Sequence, residues 1–464
     1  MLNLKLRSHA YLLTLTLAIT SQSAYAIDLL DAWQAAQNKD PSFSAARAGA
    51  AVGKARSGQA KALKLPQVTA SAGTGMVNAY NKIGNAQFSA PGMGGPYNNA
   101  SFITQTDNGV DLHWNIRAEQ PLYNAERDTQ AQQLNKQAEF ADVKLSAEQQ
   151  ELILRVAKAY FDVLLAEDSL VALKKQRQAV SQALAVAKGR FAEGDVAIID
   201  THEAQAREDA LVAQELEVES ILQLAQAVLT DLTGNAGDAL ARLADQSNLQ
   251  QLNEGELKSW LALAQSNSPY LHMQQIQQGI AHDEIDKYRL SNSPVLNLVA
   301  QAGGADLRGS NNDSTLSNHS VSVGVQLTMP LFTGGMRNAK YEEAVALEQQ
   351  SMDQTEVIRL RAGQQARIEW LGVSVGKGKI RAMEQALHSS KVKLDATKLG
   401  REVGDRTILD ELNAEHEFHI TRTELFRARY QMLLSYLSLA ATAGILDEKR
   451  LLEVNAVLEV KQAE

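Results

Sequence analysis

Two short stretches carry residue types that do chemistry in other proteins. Gly372-Val373-Ser374-Val375-Gly376-Lys377-Gly378 sets glycines beside a lysine, the pairing with which a loop cradles phosphate through bare backbone N–H groups and an ammonium. Its glycines stand closer together than that motif requires, and no Ser or Thr follows Lys377, so phosphate binding is not expected. Glu415, His416 and His419 put potential metal ligands one helical turn apart, but the same spacing describes an ordinary polar helix face, which is the reading preferred here. No serine, histidine and acid stand at a spacing that suggests a nucleophilic triad. The chain has no cysteine, which removes thiolate metal sites and disulfides. Neither enzymatic activity nor a cofactor is expected.

A third pattern is more informative. Asp111, His113, Asn115, Arg117 and Glu119 alternate with Val110, Leu112, Trp114, Ile116 and Ala118, so a strand here has one wet face and one apolar face. Ser320 to Phe332 repeats the plan, with Val321, Val323, Val325, Leu327 and Met329 opposite Ser320, Ser322, Gln326 and Thr328. Strands of this kind separate lipid from water. Unpaired backbone groups in hydrocarbon are costly, so such strands must close into a barrel. Four strands are expected, at about 66–80, 110–122, 294–304 and 319–332. A strand of about ten residues tilted by about 45° spans roughly 23 Å, close to the apolar band of an outer-membrane barrel. Asp111, His113, Asn115, Arg117 and Gln326 then line the lumen. Between strands, 81–109 and 306–318 are expected as polar loops on the outer side, with Tyr123 and Phe332 marking the opposite interface.

These strands need elements to hold them, and the composition points to long helices. Only 5% of the 464 residues are aromatic, and no proline occurs between Leu122 and Ser268 or after Leu331. Pro41 pairs with Pro269 and Pro66 with Pro294 at one offset, 228 residues, while Pro121-Leu122-Tyr123 matches Pro330-Leu331-Phe332. The chain is an internal duplication. Each copy opens with a helical segment broken near its proline, roughly 29–64 and 256–290. Each then ends in a long helical hairpin. Leu152, Val156, Ala159, Val163, Ala166, Leu170 and Leu173 form a coiled-coil seam in a tract over 124–190 that, if continuous, is about 100 Å long. The hairpins turn at Gly194-Asp195 and Gly404-Asp405, followed by Ile198 and Asp200 in one copy and Ile408 and Asp410 in the other. The organisation expected is a leader over 1–26, a first repeat over 27–232 with its hairpin at 124–232, and a connecting segment over 233–255. A second repeat over 256–443, with its hairpin at 333–443, and a tail over 444–464 complete it.

Lys5 and Arg7, the apolar run from Ala10 to Ile19 and Ala24-Tyr25-Ala26 read as a secretory signal. Its removal takes Lys5 and Arg7 away and moves the formal charge from -9 to -11, which argues against nucleic-acid binding. The expected location is the outer membrane and periplasm. Four strands cannot close a barrel alone, so oligomerisation is required.

With these motifs assembled, the chain resembles the TolC family of outer-membrane channel proteins along nearly its whole mature length. The resemblance is carried by the two Pro-Leu-aromatic strand ends and by the tips Arg190 to Asp200 and Val403 to Asp410. It implies a mixed α/β membrane protein, a homotrimer with a twelve-stranded barrel in outer-membrane lipid above a periplasmic tunnel of coiled-coil hairpins. It also implies a passive exit duct for efflux or type I secretion, docked to an inner-membrane transporter through a periplasmic adaptor at the tips Gly194, Asp195, Gly404 and Asp405. By position, Arg406 becomes a latch cation, Asp200 its partner on the neighbouring hairpin, and Asp410 a constriction acid. Arg401, Asn413 and Glu203 depart from the family's usual tyrosine, aspartate and amide. A trimeric coiled-coil envelope protein without an open pore is the alternative reading.

Overall fold

The computed structural model describes residues 26–194, 196–235, 239–243, 249–252, 255–289, 294–309 and 315–459. Residues 1–25 of the leader and Asp195 therefore lie outside the described residues, as do 310–314 of the loop expected at 306–318. The rest of that loop is corrected, since 306–308 extend β4 and 315–318 begin β5, paired as Asp306↔Ser317 and Arg308↔Thr315.

The first half runs α1 (Leu29–Lys39), α2 (Pro41–Ala62), β1 (Gln67–Phe88), β2 (Tyr97–Tyr123), α3 (Ala125–Glu193), α4 (Ile198–Thr233) and a short β3 (Arg242–Leu243). The second half repeats this as α5 (Leu257–Asn267), α6 (Pro269–Arg289), β4 (Val295–Arg308), β5 (Thr315–Thr328), α7 (Met336–Glu402) and α8 (Ile408–Thr442). It closes with α9 (Glu448–Asn455) and β6 (Leu458–Glu459). Pro41 and Pro269 each open a helix, where the missing N–H is no loss. Asp40 caps α2 by accepting from Phe43 N at 2.7 Å.

α3 and α7 are rods of 69 and 67 residues, each about 100 Å long. α2 and α4 share one flank of α3. A Cβ on Gly53 of α2 would collide with Ala141 of α3, while farther down Lys174 of α3 bonds Glu219 of α4 at 3.0 Å. α6 and α8 share a flank of α7 in the same way, through His282 with Glu348 at 2.7 Å and Arg429 with Glu384 at 2.8 Å. Lys136 to Asp283 and Gln176 to His416 join the two halves through α3.

Around the waist these rods enclose the largest core, in which Leu29, Trp33, Tyr160, Phe161, Leu433, Leu437 and Leu451 are buried. The Phe161 and Tyr430 rings stack at 5.5 Å. The Tyr160 hydroxyl lies 2.9 Å from Ile27 O and 2.8 Å from Ala241 O, tying the first described residues to the segment between the repeats. Burial, with Asp28 nearby, pushes its ionisation far above the phenol range, so it stays a neutral donor.

Two regions depart from the sequence expectation. Residues 81–88 and 97–109 are not a polar loop, because β1 and β2 continue as a two-stranded ribbon up to Phe88↔Tyr97, and only 89–96 turn between them. Register shifts at Val77/Ala79, Ile83/Ala86 and Ala86/Phe88 break the period-2 pattern that would have announced it. The strand expected over 319–332 instead runs from Thr315 to Thr328. Pro330 cannot donate to a ladder, and Gly334 and Gly335 take positive φ, which turns the chain into α7. The glycines Gly372, Gly376 and Gly378 mark no break, since α7 runs unbroken through them. A Cβ on Gly376 would come within 2.9 Å of Met432 Cγ, so a hydrogen there lets α8 approach.

Candidate functional site

The sheet has the order β1-β2-β4-β5, antiparallel throughout. Residues paired across strands share a face, so the register defines both faces. Ser71↔Asn115↔Gly303 and Thr69↔Arg117↔Gln301↔Ser322 lie on one of them. Asp111, His113, Asn115, Arg117 and Gln326 all belong to this face. There His113 Nδ1 meets Asp111 at 2.7 Å and Arg117 bonds Glu119 at 3.2 Å. Asn297 donates to Glu119 at 2.7 Å, and Arg117 reaches Gln326 at 3.5 Å. The face is a hydrogen-bonded polar lattice, a surface that keeps water beside it.

The opposite face carries Val68, Met76, Leu112, Trp114, Ile116, Val321, Val323, Val325 and Leu327, all exposed in the single chain. Met76 is 80% and Val321 81% exposed. So large an apolar face in contact with water is unfavourable, and an apolar covering removes the penalty. No helix among the described residues is long and apolar enough to cross a membrane. Among the described residues, β1 and β5 leave their outer edges unpaired.

At the far end the two hairpin turns lie together. Gly194 and Gly404 take φ of 82° and 81°, the left-handed conformation that lets a chain leave a helix. Gly400 O accepts from Asp405 N at 2.8 Å and Arg406 N at 3.2 Å, closing the second turn. Arg190, Asp200, Arg401, Gly404 and Arg406 line one cleft of about 210 Å3 between the tips. Within the chain, though, Arg406 and Asp200 form no ion pair. Arg401 is engaged by Glu411 instead, and Asn413 accepts from Arg207 of α4 at 3.4 Å.

Asp410 is committed to a capping box: it accepts from Thr407 N at 3.0 Å and Thr407 Oγ1 at 2.9 Å, while its own N–H donates to Thr407 Oγ1 at 3.1 Å. These bonds from Thr407, with Arg406 nearby, hold its carboxyl below the ordinary aspartate range. Thr407 and Glu411 were not singled out from the sequence, although Thr407-Ile408-Leu409-Asp410 has the Ser/Thr-x-x-acid spacing of a capping box.

One turn above, Glu415 and His419 are buried together, with Nε2 to Oε1 at 3.2 Å and Lys398 on the other carboxylate oxygen at 2.9 Å. Burial alone would raise Glu415, but His419 and Lys398 hold it below its usual range. His416 turns away to Gln176, and burial with the Arg207 charge depresses its pKa. The three side chains therefore do not converge, and no cluster of three or more ligands fit for a metal occurs among the described residues.

A two-faced antiparallel sheet on long paired helices defines the class of protein: an outer-membrane channel. The chain belongs to the outer membrane efflux protein family, whose model matches residues 32–235 and 260–445, one block in each repeat. TolC of Vibrio cholerae is 32% identical over 350 residues, covering 74% of this chain and 79% of that protein. The alkaline protease secretion protein AprF of Pseudomonas aeruginosa is 28% identical over 444 residues, covering 93% and 87%. The solved Campylobacter jejuni CmeC outer membrane channel has a TM-score of 0.73 at 15% identity over 99% of both chains, a likeness of fold. The protein is an outer-membrane exit duct of the efflux and type I secretion class.

Proposed function

We propose that three copies of the chain close their sheets into one twelve-stranded barrel, continued into the periplasm as a tube of helical hairpins. The observation that carries this reading is the sheet itself, with a largely exposed apolar face and, among the described residues, two bare edges, neither tolerable in a membrane unless copies pair edge to edge. Eight strands leave an interior filled by side chains, whereas twelve leave a passage.

The helices support the same ring. α4 stands at one flank with Leu216, Leu224 and Val228 exposed, and α7 stands at the other with Val345, Leu360, Ile368 and Val375 exposed. Head-to-tail packing of these flanks buries both and closes a ring. The duct is passive: a periplasmic adaptor docks at the tips around Gly194, Asp195, Gly404 and Asp405, and an inner-membrane transporter supplies the energy. Asp200, Arg401, Arg406, Asp410 and Asn413 form the periplasmic gate.

Native mass measurement in detergent should give three copies, and the purified protein should conduct ions in planar bilayers. Trimers that never conduct, even with tip residues replaced, would favour a structural envelope protein instead.

A further inference from the structure

Above the level where β4 and β5 stop, β1 and β2 go on alone. Val110↔Arg308 is the last rung that β2 makes with β4, whereas β1 and β2 stay paired to Phe88↔Tyr97. Along β1 the alternation from Gly73 and Gly75, which pair with His113 and Asp111 on the polar face, continues through Val77 and Ala79 to Ile83. Ile83 pairs with Phe102, and the Phe102 and Phe88 rings meet edge-on at 5.5 Å, so Ile83, Phe88 and Phe102 share that face.

The face changes character as it rises. Inside the four-stranded sheet it is charged and amidic; beyond the sheet it loses its charges, passing Asn81, Thr104 and Thr106 and ending in an apolar cluster, with Ile83 62%, Phe102 43% and Phe88 36% exposed in the single chain. In the ring proposed above, this side turns to the aqueous passage, away from lipid. The two-stranded segment also carries the means to bend: three register shifts, with Asn85, Asn99 and Asn108 at positive φ.

We propose that the β1–β2 ribbons of the three copies close over the outer mouth of the barrel, packing Ile83, Phe88 and Phe102 of each copy against those of its neighbours. This rests on the ring described under Proposed function, which sets the same face of every ribbon around one axis. The passage then has an apolar outer closure besides its polar periplasmic gate. Cargo arriving from within parts the ribbons, because what holds them is contact between a few side chains rather than a continuous ladder.

The chain has no cysteine, so introduced thiols report without background. Asn115→Cys, below the ribbons on the polar face, is labelled from outside intact cells with a bulky membrane-impermeant maleimide. Labelling should be slow, and adding Ile83→Ser, Phe88→Ser and Phe102→Ser together should speed it at least about tenfold, since burial of one large apolar side chain is enough to shift an open–closed equilibrium by a decade. Phe102→Cys alone should yield cross-linked dimers on mild oxidation. If native mass confirms three copies but the serine variant labels no faster and Phe102→Cys stays uncross-linked, the outer closure is overturned and the ring stands. If native mass shows no trimer, the ring itself fails and the closure falls with it.

Discussion

At the turn between α3 and α4 the chain leaves its helix through Gly194 and enters the next at Ala197, whose side chain makes no cap. At the turn between α7 and α8 it leaves through Gly404 and enters at Thr407, which forms a reciprocal capping box with Asp410. The sequences match at Gly-Asp, Ile and Asp, so duplication supplied one turn and divergence altered how it is held. Asp200 sits where Asp410 sits but has no threonine hydroxyl to engage it. Asp200 therefore stays at the cleft, whereas Asp410 is spent on its own helix. A gate built on such tips has one braced lip and one loose lip.

What the tips share should show the largest effect. Gly194→Ala and Gly404→Ala each place a Cβ at positive φ, which costs about 1–2 kcal/mol. Amide exchange around both turns should quicken to a similar degree, and a markedly unequal response would mean that the two exits are not equivalent. What they do not share comes next. Thr407→Ala should lower the stability of the α8 start by about 1 kcal/mol, read as faster exchange at residues 408–411. Ala197→Thr should do the reverse at α4 by a similar amount. If Thr407→Ala leaves exchange unchanged, the braced-and-loose distinction is lost.

Acid offers a third probe. Asp410 is depressed in the folded tip, so its contribution is present above the unfolded aspartate pKa and is lost as pH falls through the lowered folded value. Protonation removes the charge that strengthens the bonds from Thr407 N and Oγ1 and leaves one carboxyl oxygen a weaker acceptor. Exchange at the α8 start should therefore rise below about pH 4, the ordinary aspartate range. Asp410→Asn should flatten this response, and a profile unchanged by that substitution would break the link.

Periodicity made much of this architecture legible. The alternation over Val110 to Gln120 and Val321 to Thr328 marks two-faced strands because each residue type there reports its medium. The ribbon above them was not legible: bulges shift the period at Asn85, Asn99 and Asn108, and asparagine and glycine look like loop residues whether or not they pair. Pro330 misled in the other direction, since apolar alternation ran past the last residue able to donate to a ladder. At the tips the cap was legible in Thr407 and Asp410, but the pairing of Arg401 with Glu411 was not. It depends on how α7 and α8 cross after the turn, which a one-dimensional spacing does not carry.

That pairing separates the two arginines of the cleft and sets the smallest effect expected. Arg401 is satisfied within its own hairpin by Glu411. Arg406 lays its stem against Gly400, where an added Cβ would come within 2.7 Å of Arg406 Cγ, and makes no salt bridge among the described residues. Its guanidinium is left for a carboxylate across the cleft or on a neighbouring copy, with Asp200 on the loose lip as the acceptor proposed here. Exposed ion pairs contribute only about 0–1 kcal/mol, which suits a gate that must open readily. Arg406→Ala should raise single-channel conductance in planar bilayers modestly, and Asp200→Ala should match it, with little further gain when both are combined. Arg401→Ala should act mainly on hairpin stability. If Arg406→Ala leaves conductance unchanged, or if the Arg406→Ala and Asp200→Ala effects simply add, the two residues do not face each other across the gate, and the loose lip is held by something other than this pair.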